Sequence, residues 1–288
     1  TDGSAALVER EAARDQRIRL IRQENSGGPA RPRNRAIAAS EGAYVCFLDP
    51  DDLFDPEKLE LQAHVLDTHP EAGVVFSDIE VFSGGEPGSG HSYLGRADWH
   101  AQAAPHLEPL GGDLFRCGDG FYQFMSTTIT SLTTQSVMVR RSALDRFPGP
   151  FDEGLVIGQD IDLWFRLALH EDLFFLDRCL AHYRIHESNR TGNSESALRG
   201  FVEAQTQNLE RAHPVLDEDA LEVMRGRIAR NSFALGYHYV KEGRFAEGRR
   251  RYVAAMPGVG VGKVASAYLK SWIRQVLSLA RPRRGRAS

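Results

Sequence analysis

Tyr44-Val45-Cys46-Phe47-Leu48-Asp49-Pro50-Asp51-Asp52 decides how this chain is read. Five mostly apolar residues run into three carboxylates within four positions. A short continuous apolar run predicts a strand buried on both faces, as in a parallel sheet covered by helices. Such sheets hold their ligands just beyond the carboxyl ends of the strands. Asp49, Asp51 and Asp52 at that edge have the chemistry of a divalent-metal site. Hard oxygen ligands suit Mg²⁺ or Mn²⁺, and these ions usually share their shell with substrate phosphates. Like charges this close raise one another's pKa unless a cation is present. A turn is the rival reading: Asp-Pro-Asp-Asp is good turn chemistry, and Asp55 can cap the helix that Pro56 opens.

Upstream, Ser4 is expected to cap a short helix to about Ala13, and Ile18 to Ile21 reads as a strand. Residues 23–34 read as a loop in which Gly27-Gly28 can approach a ligand closely. Arg31 and Arg33 in that loop carry guanidinium forks that match diphosphate oxygens, Arg33 the better candidate of the two. Asn34 to Ser40 reads as a helix stopped by Gly42. Downstream, Pro56 to about Thr68 reads as a helix with Leu59, Ala63 and Leu66 inward, and Gly73 to Phe76 as a buried strand ending at Ser77-Asp78. This alternation predicts an α/β fold with a mainly parallel sheet. Residues 91–125 show no period, and their aromatics and histidines are candidates for an acceptor cleft. The β-branched run Thr127 to Val139 reads as a strand, with Ser142 capping the helix after it.

A second constellation is Gln159-Asp160-Ile161-Asp162-Leu163-Trp164-Phe165-Arg166, where Leu163, Trp164, Leu167 and Ala168 share a helix face. Asp160 falls at the helix start, whose positive end favours a carboxylate; it is either an N-cap or a functional acid. Leu173 to Leu176 and Leu180 to Ile185 read as strands, and His186 comes next at a strand end in Tyr183-Arg184-Ile185-His186-Glu187-Ser188-Asn189.

Composition sets the outer bounds. The 288 residues suffice for one large domain with an appendage, and 42% hydrophobic and 26% charged residues are ordinary for a globular chain. A net charge of -4 gives no footprint for nucleic acid. Cys46, Cys117 and Cys179 are scattered and odd in number, which points to a reducing, cytoplasmic setting without disulfides or zinc spacing. No apolar stretch is long enough to span a bilayer, and no signal peptide is visible.

Taken in order, these motifs resemble the family 2 glycosyltransferases with the GT-A fold. The matching pieces are Gly28-Pro29 to Arg33-Asn34, Phe47 to Asp52, Pro56 with Lys58-Leu59, Ser77-Asp78, Val137 to Arg141, Phe151-Asp152-Glu153, Gln159 to Arg166, and Tyr183 to His186. The resemblance covers about residues 1–195 as a GT-A (Rossmann-like) domain, leaving 196–288 as a helical C-terminal region with a basic tail. It implies a metal-dependent, inverting transfer of a sugar from a nucleotide-diphosphate donor to a saccharide or lipid-linked acceptor, in cell-surface polysaccharide or glycolipid assembly. Asp51 and Asp52 would hold the metal, joined by His186. Asp49 would lie near the ribose, Arg33 at the diphosphate, and Asp160 would be the catalytic base. The family usually has Glu-Asp where this chain has Gln159-Asp160. Family members also carry a first strand, a helix and a second strand ending in Asp-Asp-Gly-Ser before this point. Thr1-Asp2-Gly3-Ser4 looks like the segment just after that second strand, so about 40 residues, roughly one β-α-β unit, are expected upstream. A truncated, inactive binding module is the rival on that ground. A nucleotidyltransferase is disfavoured because no glycine-rich, lysine-bearing phosphate loop is present.

Toward the C-terminus, Leu235-Gly236, Tyr239, Gly243, Phe245, Gly248, Tyr252 and Ala255 resemble one tetratricopeptide-like hairpin, which needs packing partners. Between Val264 and Leu279 apolar residues recur at helical spacing, interrupted by Lys270 and Arg274, and Arg281, Arg283, Arg284 and Arg286 come after them. Two readings stay open: an interfacial helix making peripheral contact at the inner face of the cell membrane, or an amphipathic helix packed on the domain with a solvated tail.

Overall fold

The computed structural model describes residues 3–128, 130–186, 189 and 194–280. In chain order the elements begin with helices α1 (Ser4–Ala12) and α2 (Ala30–Ala39), strands β1 (Tyr44–Cys46) and β2 (Leu53–Phe54), helix α3 (Lys58–Thr68), and strands β3 (Ala72–Ser83) and β4 (His91–Ser92). Next come α4 (Trp99–Ala103), β5 (Leu107–Gly111), β6 (Leu114–Cys117), α5 (Phe121–Thr127), β7 (Val137–Arg140), α6 (Arg141–Asp145), α7 (Gln159–Ala168) and β8 (Asp172–Ile185). The C-terminal helices are α8 (Glu195–Ala212), α9 (Glu218–Lys241), α10 (Phe245–Ala254), α11 (Met256–Val259) and α12 (Val261–Ala280).

β3 and β8 form the spine of the sheet. They pair in parallel along nearly their whole length, and β3 is buried from Ala72 to Phe82. The strand order is β1-β7-β3-β8-β6-β5, with β2 on β8 and β4 on β3. The expected parallel frame is present in direction, since β1, β3 and β8 run the same way, but β7 is inserted antiparallel between β1 and β3. The sheet is therefore mixed.

Side-chain alternation splits the core into two layers. Val74, Phe76, Val137, Val139 and Phe175 face Trp99, Trp164 and Phe151, whereas Val75, Met138 and Phe174 face Val65 and Leu66 of α3. Trp99, Phe121 and Phe124 are core residues, so these three aromatics of 91–125 do not line an open cleft. The C-terminal helices are docked on this body: α8 packs on α7, and α9 packs on α5 and α8. The α9–α10 hairpin interlocks because a Cβ at Gly236 would meet the Tyr252 ring at 2.9 Å, so only glycine admits that approach.

Several local expectations are corrected. Residues 18–21 carry no ladder, and Ile18 and Ile21 are exposed. The helix predicted from Asn34 starts earlier, at Ala30, which moves Arg31 and Arg33 from a loop onto α2. β1 is shorter and only half-buried, because β7 is its one ladder partner among the described residues. Ser4 and Ser142 lie inside their helices, with Gly3 and Arg140 at the caps. α3 turns Leu59 outward and buries Lys58, Gln62, Val65 and Leu66. The run from Thr127 forms a ladder only from Val137 onward, and Ile129 is outside the described residues. The two strands predicted after residue 172 are one bulged strand, β8. Thr1, Asp2, Glu187, Ser188 and the four arginines after Ala280 are outside the described residues.

Candidate active site

Pairing register assembles the acidic cluster. Phe47 is buried edge-on against Phe151, 5.1 Å between ring centroids, and 6.0 Å from Trp164 of α7. The chain then turns, with the Asp52 N–H donating to the Asp49 carbonyl at 3.1 Å. The turn and the acidic cluster are thus one structure. β2 next pairs antiparallel with β8, Leu53 opposite His182 and Phe54 opposite Ala181. Continuing that register brings residues 49–52 alongside 183–186.

Each acid of the cluster has a different environment. Asp51 Oδ2 lies 2.9 Å from His186 Nε2, both side chains about one-third exposed (36% and 35%). Asp52 is buried and accepts from the Arg184 backbone N–H at 3.1 Å. Burial, and secondarily the charges of Asp51 and Asp49, push its carboxyl up to about 7. A cation there would compete with the Asp52 proton. Asp49 Oδ1 accepts from Arg33 Nη2 at 2.6 Å, and that guanidinium lies 5.4 Å over the Phe151 ring. Arg33 Nη1 is buried without a hydrogen-bond partner. An orphan charged donor of this kind is costly unless an acceptor arrives. Arg31, on the other side of α2, lines a separate cleft of about 200 Å³ with Gly28, Glu153 and Val156.

Among the described residues, no three carboxylate, imidazole or thiol groups form a preformed metal cage. The Asp51–His186 pair beside Asp52 nevertheless fits a hard or borderline cation held by few protein ligands and completed by substrate phosphate.

Asp160 sits at the second position of α7, after Gly158, whose φ of 86° ends the preceding loop. Its Oδ2 accepts from Thr134 Oγ1 at 3.1 Å, and its Oδ1 from the Ile161 N–H at 2.9 Å. Buried Gln159 accepts the Asp160 N–H through Oε1 at 2.8 Å, so a neutral amide serves where the family usually has a glutamate. The Phe47–Phe151–Trp164 cluster is a rigid link between the two halves, with Asp49 two residues beyond Phe47 and Asp160 four before Trp164.

Other motif residues have structural jobs. Asp78, at a bulge of β3, accepts from the Ile79 and Leu94 N–H groups and from Ser92 Oγ. Asp162 is fully buried and is shared by Arg166 of α7 and Arg211 of α8. Lys58 Nζ is buried on Ser136 O at 3.2 Å and on Gln62, 4.9 Å from the Phe54 ring centroid. Thr134 had no signal in the sequence, because a threonine in a β-branched run reads as strand.

Known proteins resemble this chain in sequence and in fold. The profile of the family described as "Glycosyl transferase family 2" matches residues 1–144. A putative teichuronic acid biosynthesis glycosyltransferase, TuaG of Bacillus subtilis, is 39% identical over 201 residues, 69% of each chain. An uncharacterized protein of Sinorhizobium fredii is 37% identical over 90 residues, 31% of this chain and 10% of its own length. The matches span 26% of an uncharacterized glycosyltransferase of Rickettsia bellii and 54% of one from Methanocaldococcus jannaschii, so the chain matches at most about half of the length of these relatives. Among solved structures, TarS of S. aureus aligns with TM-score 0.57 at 17% identity over 96% of this chain and 46% of its own. A mannosyltransferase from Pyrobaculum calidifontis, in complex with GDP-Man and Mn²⁺, aligns with TM-score 0.51 at 15% identity over 98% and 69%. Both likenesses are of fold, and the fold is GT-A with a mixed sheet and a helical C-terminal region. With the family profile matched over its first 144 residues and a 39%-identical relative over two-thirds of both lengths, the chain belongs to glycosyl transferase family 2.

Proposed function

We propose that this chain transfers a sugar from a nucleotide-diphosphate donor to a hydroxyl of a saccharide or lipid-linked acceptor, with inversion and with Mg²⁺ or Mn²⁺. The carrying observation is the Asp51–His186 pair beside desolvated Asp52, in the same turn as Asp49, which holds Arg33, whose Nη1 lacks a partner. Asp51, Asp52 and His186 would hold the cation, which when bound neutralises the leaving diphosphate. Arg33 donates to a diphosphate oxygen, and Asp49, fixed by Arg33, faces the donor ribose. Asp160 takes the proton of the acceptor hydroxyl as its oxygen forms a bond to the anomeric carbon. The carbon–oxygen bond to the diphosphate breaks on the opposite face, and the electron pair leaves with the diphosphate. Residues 1–195 carry this chemistry, and 196–288 form the C-terminal region, with helices described as far as Ala280. The reading includes a cytoplasmic setting at the inner face of the membrane and a role in cell-surface polysaccharide or glycolipid assembly.

Calorimetric titration with UDP, GDP and TDP, with and without Mn²⁺, tests it. Binding of one nucleotide that needs Mn²⁺ and is lost in Asp51→Ala is expected. No binding of any of the three, by this chain or by a form extended upstream, would reduce residues 49–52 to a turn and favour an inactive relative.

A further inference from the structure

Helix α12 shows an outward face that the body of the protein does not cover. Its inner side is anchored by buried Val264 and Ser271, with Val264 in a cluster with Val240 and Tyr252. Arg249 of α10 fixes the register, lying 3.9 Å under the Trp272 ring and donating to Gln275 Oε1 at 2.8 Å. At 100° per residue, Leu269, Ile273, Val276 and Leu277 fall together on the opposite, exposed side, with Trp272 at its edge. Leu269 is 62% and Val276 60% exposed, far from the usual state of such side chains. A contiguous apolar strip of this kind marks an interaction surface.

Charge identifies what covers it. Lys263, Lys270 and Arg274 form a stripe along one border of the apolar strip. Lys263 and Arg274 are turned toward Phe233 and Tyr237 of α9, at 5.3 and 5.9 Å from those rings. From Val261 to Ser288 the sequence has seven of the 35 Lys and Arg residues and none of the 39 Asp and Glu residues, although the chain as a whole is acidic. No described helix is long and apolar enough to cross a membrane. An exposed apolar strip with a one-sided basic border and an aromatic ring at its edge suits shallow insertion into a bilayer surface. A self-associating face has no use for an uncompensated cationic border, which repels its own copy.

The geometry points to the outer face of α12 as a docking surface for an anionic phospholipid bilayer, with Leu269, Ile273 and Val276 among the acyl chains and Lys263, Lys270 and Arg274 at the phosphates. This does not rest on the glycosyl-transfer reading, because vesicle capture needs neither donor nor metal. Sedimentation of the full chain with vesicles tests it. Capture by phosphatidylglycerol-containing vesicles but not by pure phosphatidylcholine is expected, weakening as salt is raised. The triple variant Lys263→Gln, Lys270→Gln, Arg274→Gln should partition on the order of a hundredfold less. Leu269→Glu with Ile273→Glu should abolish capture and leave the thermal transition unchanged, since both side chains face outward. A second readout needs no charge change: the emission of Trp272, taken as the difference from Trp272→Phe, should shift to the blue with phosphatidylglycerol vesicles. Equal capture by both vesicle types, or by neither, would overturn the proposal. So would a dimer that the Glu variant dissociates while vesicle capture is unchanged.

Discussion

Two buried aspartates in this molecule have opposite company. Asp162 is completely buried, and both of its oxygens are held by guanidinium groups, from Arg166 on its own helix and Arg211 on α8. Asp52 is nearly as buried but has Asp51 and Asp49 for neighbours and the Arg184 backbone N–H as its donor. Burying a carboxylate costs several kcal/mol unless charge and hydrogen bonds offset it. At Asp162 the protein supplies the offset itself, and the product is a clamp between the sheet domain and the C-terminal helices. At Asp52 the offset is incomplete, which holds the carboxyl near 7. An acid left short of positive charge is one that a cation can complete. On the proposed reading, the contrast separates a structural acid from a ligand-binding one without reference to motif.

The sharpest way to break this contrast is to remove the acids one by one. On the proposed reading, Asp51→Ala or Asp160→Asn should lower kcat by roughly 10²–10⁴, with the urea midpoint within ordinary surface-mutant limits. Intact turnover in Asp160→Asn beside loss in Asp51→Ala would remove Asp160 as base and keep the cation cluster. Asp162→Asn should do the reverse. Two arginines lose their counter-charge, and stability should fall by ~3–5 kcal/mol, read as a drop in the urea midpoint. The lower end is expected because Arg211 is 36% exposed. If Asp162→Asn unfolds no earlier than the parent chain, the clamp is not a stability element and the comparison fails.

The ends of this comparison were legible in the sequence to different degrees. The acids of 49–52, Asp160 and His186 stand at element boundaries, where a change from apolar to charged residues is visible. That Asp51 meets His186 was not visible from spacing, because it depends on β2 pairing with a strand far along the chain, and register is a property of two segments together. The run from Thr127 misleads for a local reason. Ser136 Oγ bonds both the N–H and the carbonyl of Thr133, closing a turn that competes with the ladder. α3 misleads because periodicity counts hydrophobic residues, and this helix turns a lysine and a glutamine into the core while Leu59 faces water.

Lys58 extends the comparison to a buried cation. Among the described residues its hydrogen-bond acceptors are neutral, Gln62 and the Ser136 carbonyl, and burial pulls its ammonium down to about 8. The folded state therefore binds this proton less tightly than the unfolded chain does. The stabilising contribution is full above the unfolded value of about 10.5 and is lost as pH falls through about 8. Unfolding free energy should thus rise between about pH 8 and pH 10.5. Lys58→Met should flatten that slope and raise stability at pH 7 by up to ~2–3 kcal/mol. Ser136 O keeps its bond from Gln62 Nε2 in that variant. An unchanged slope would show that the ammonium keeps water or an anion in solution.

The smallest expected effect concerns Thr134, whose hydroxyl donates to Asp160 Oδ2. It is buried and, among the described residues, is the donor to Asp160 that comes from outside α7, so it fixes the direction of the carboxylate relative to the loop of residues 130–136. On the proposed reading Asp160 is the base, and a base that swings by a fraction of an ångström loses alignment with the proton it takes; alignment is worth orders of magnitude at the limit. One hydrogen bond to a charged group at the edge of solvent accounts for about 1.4 kcal/mol of this, or about tenfold. Thr134→Val should therefore lower kcat about tenfold with KM for the donor unchanged, and Thr134→Ser, which keeps the hydroxyl, should restore most of it. A packing role predicts the other pattern: Ser, which loses the methyl group, would be the worse substitution, and Val would be tolerated. The two variants in one assay decide whether Thr134 holds the carboxylate or fills space beside it.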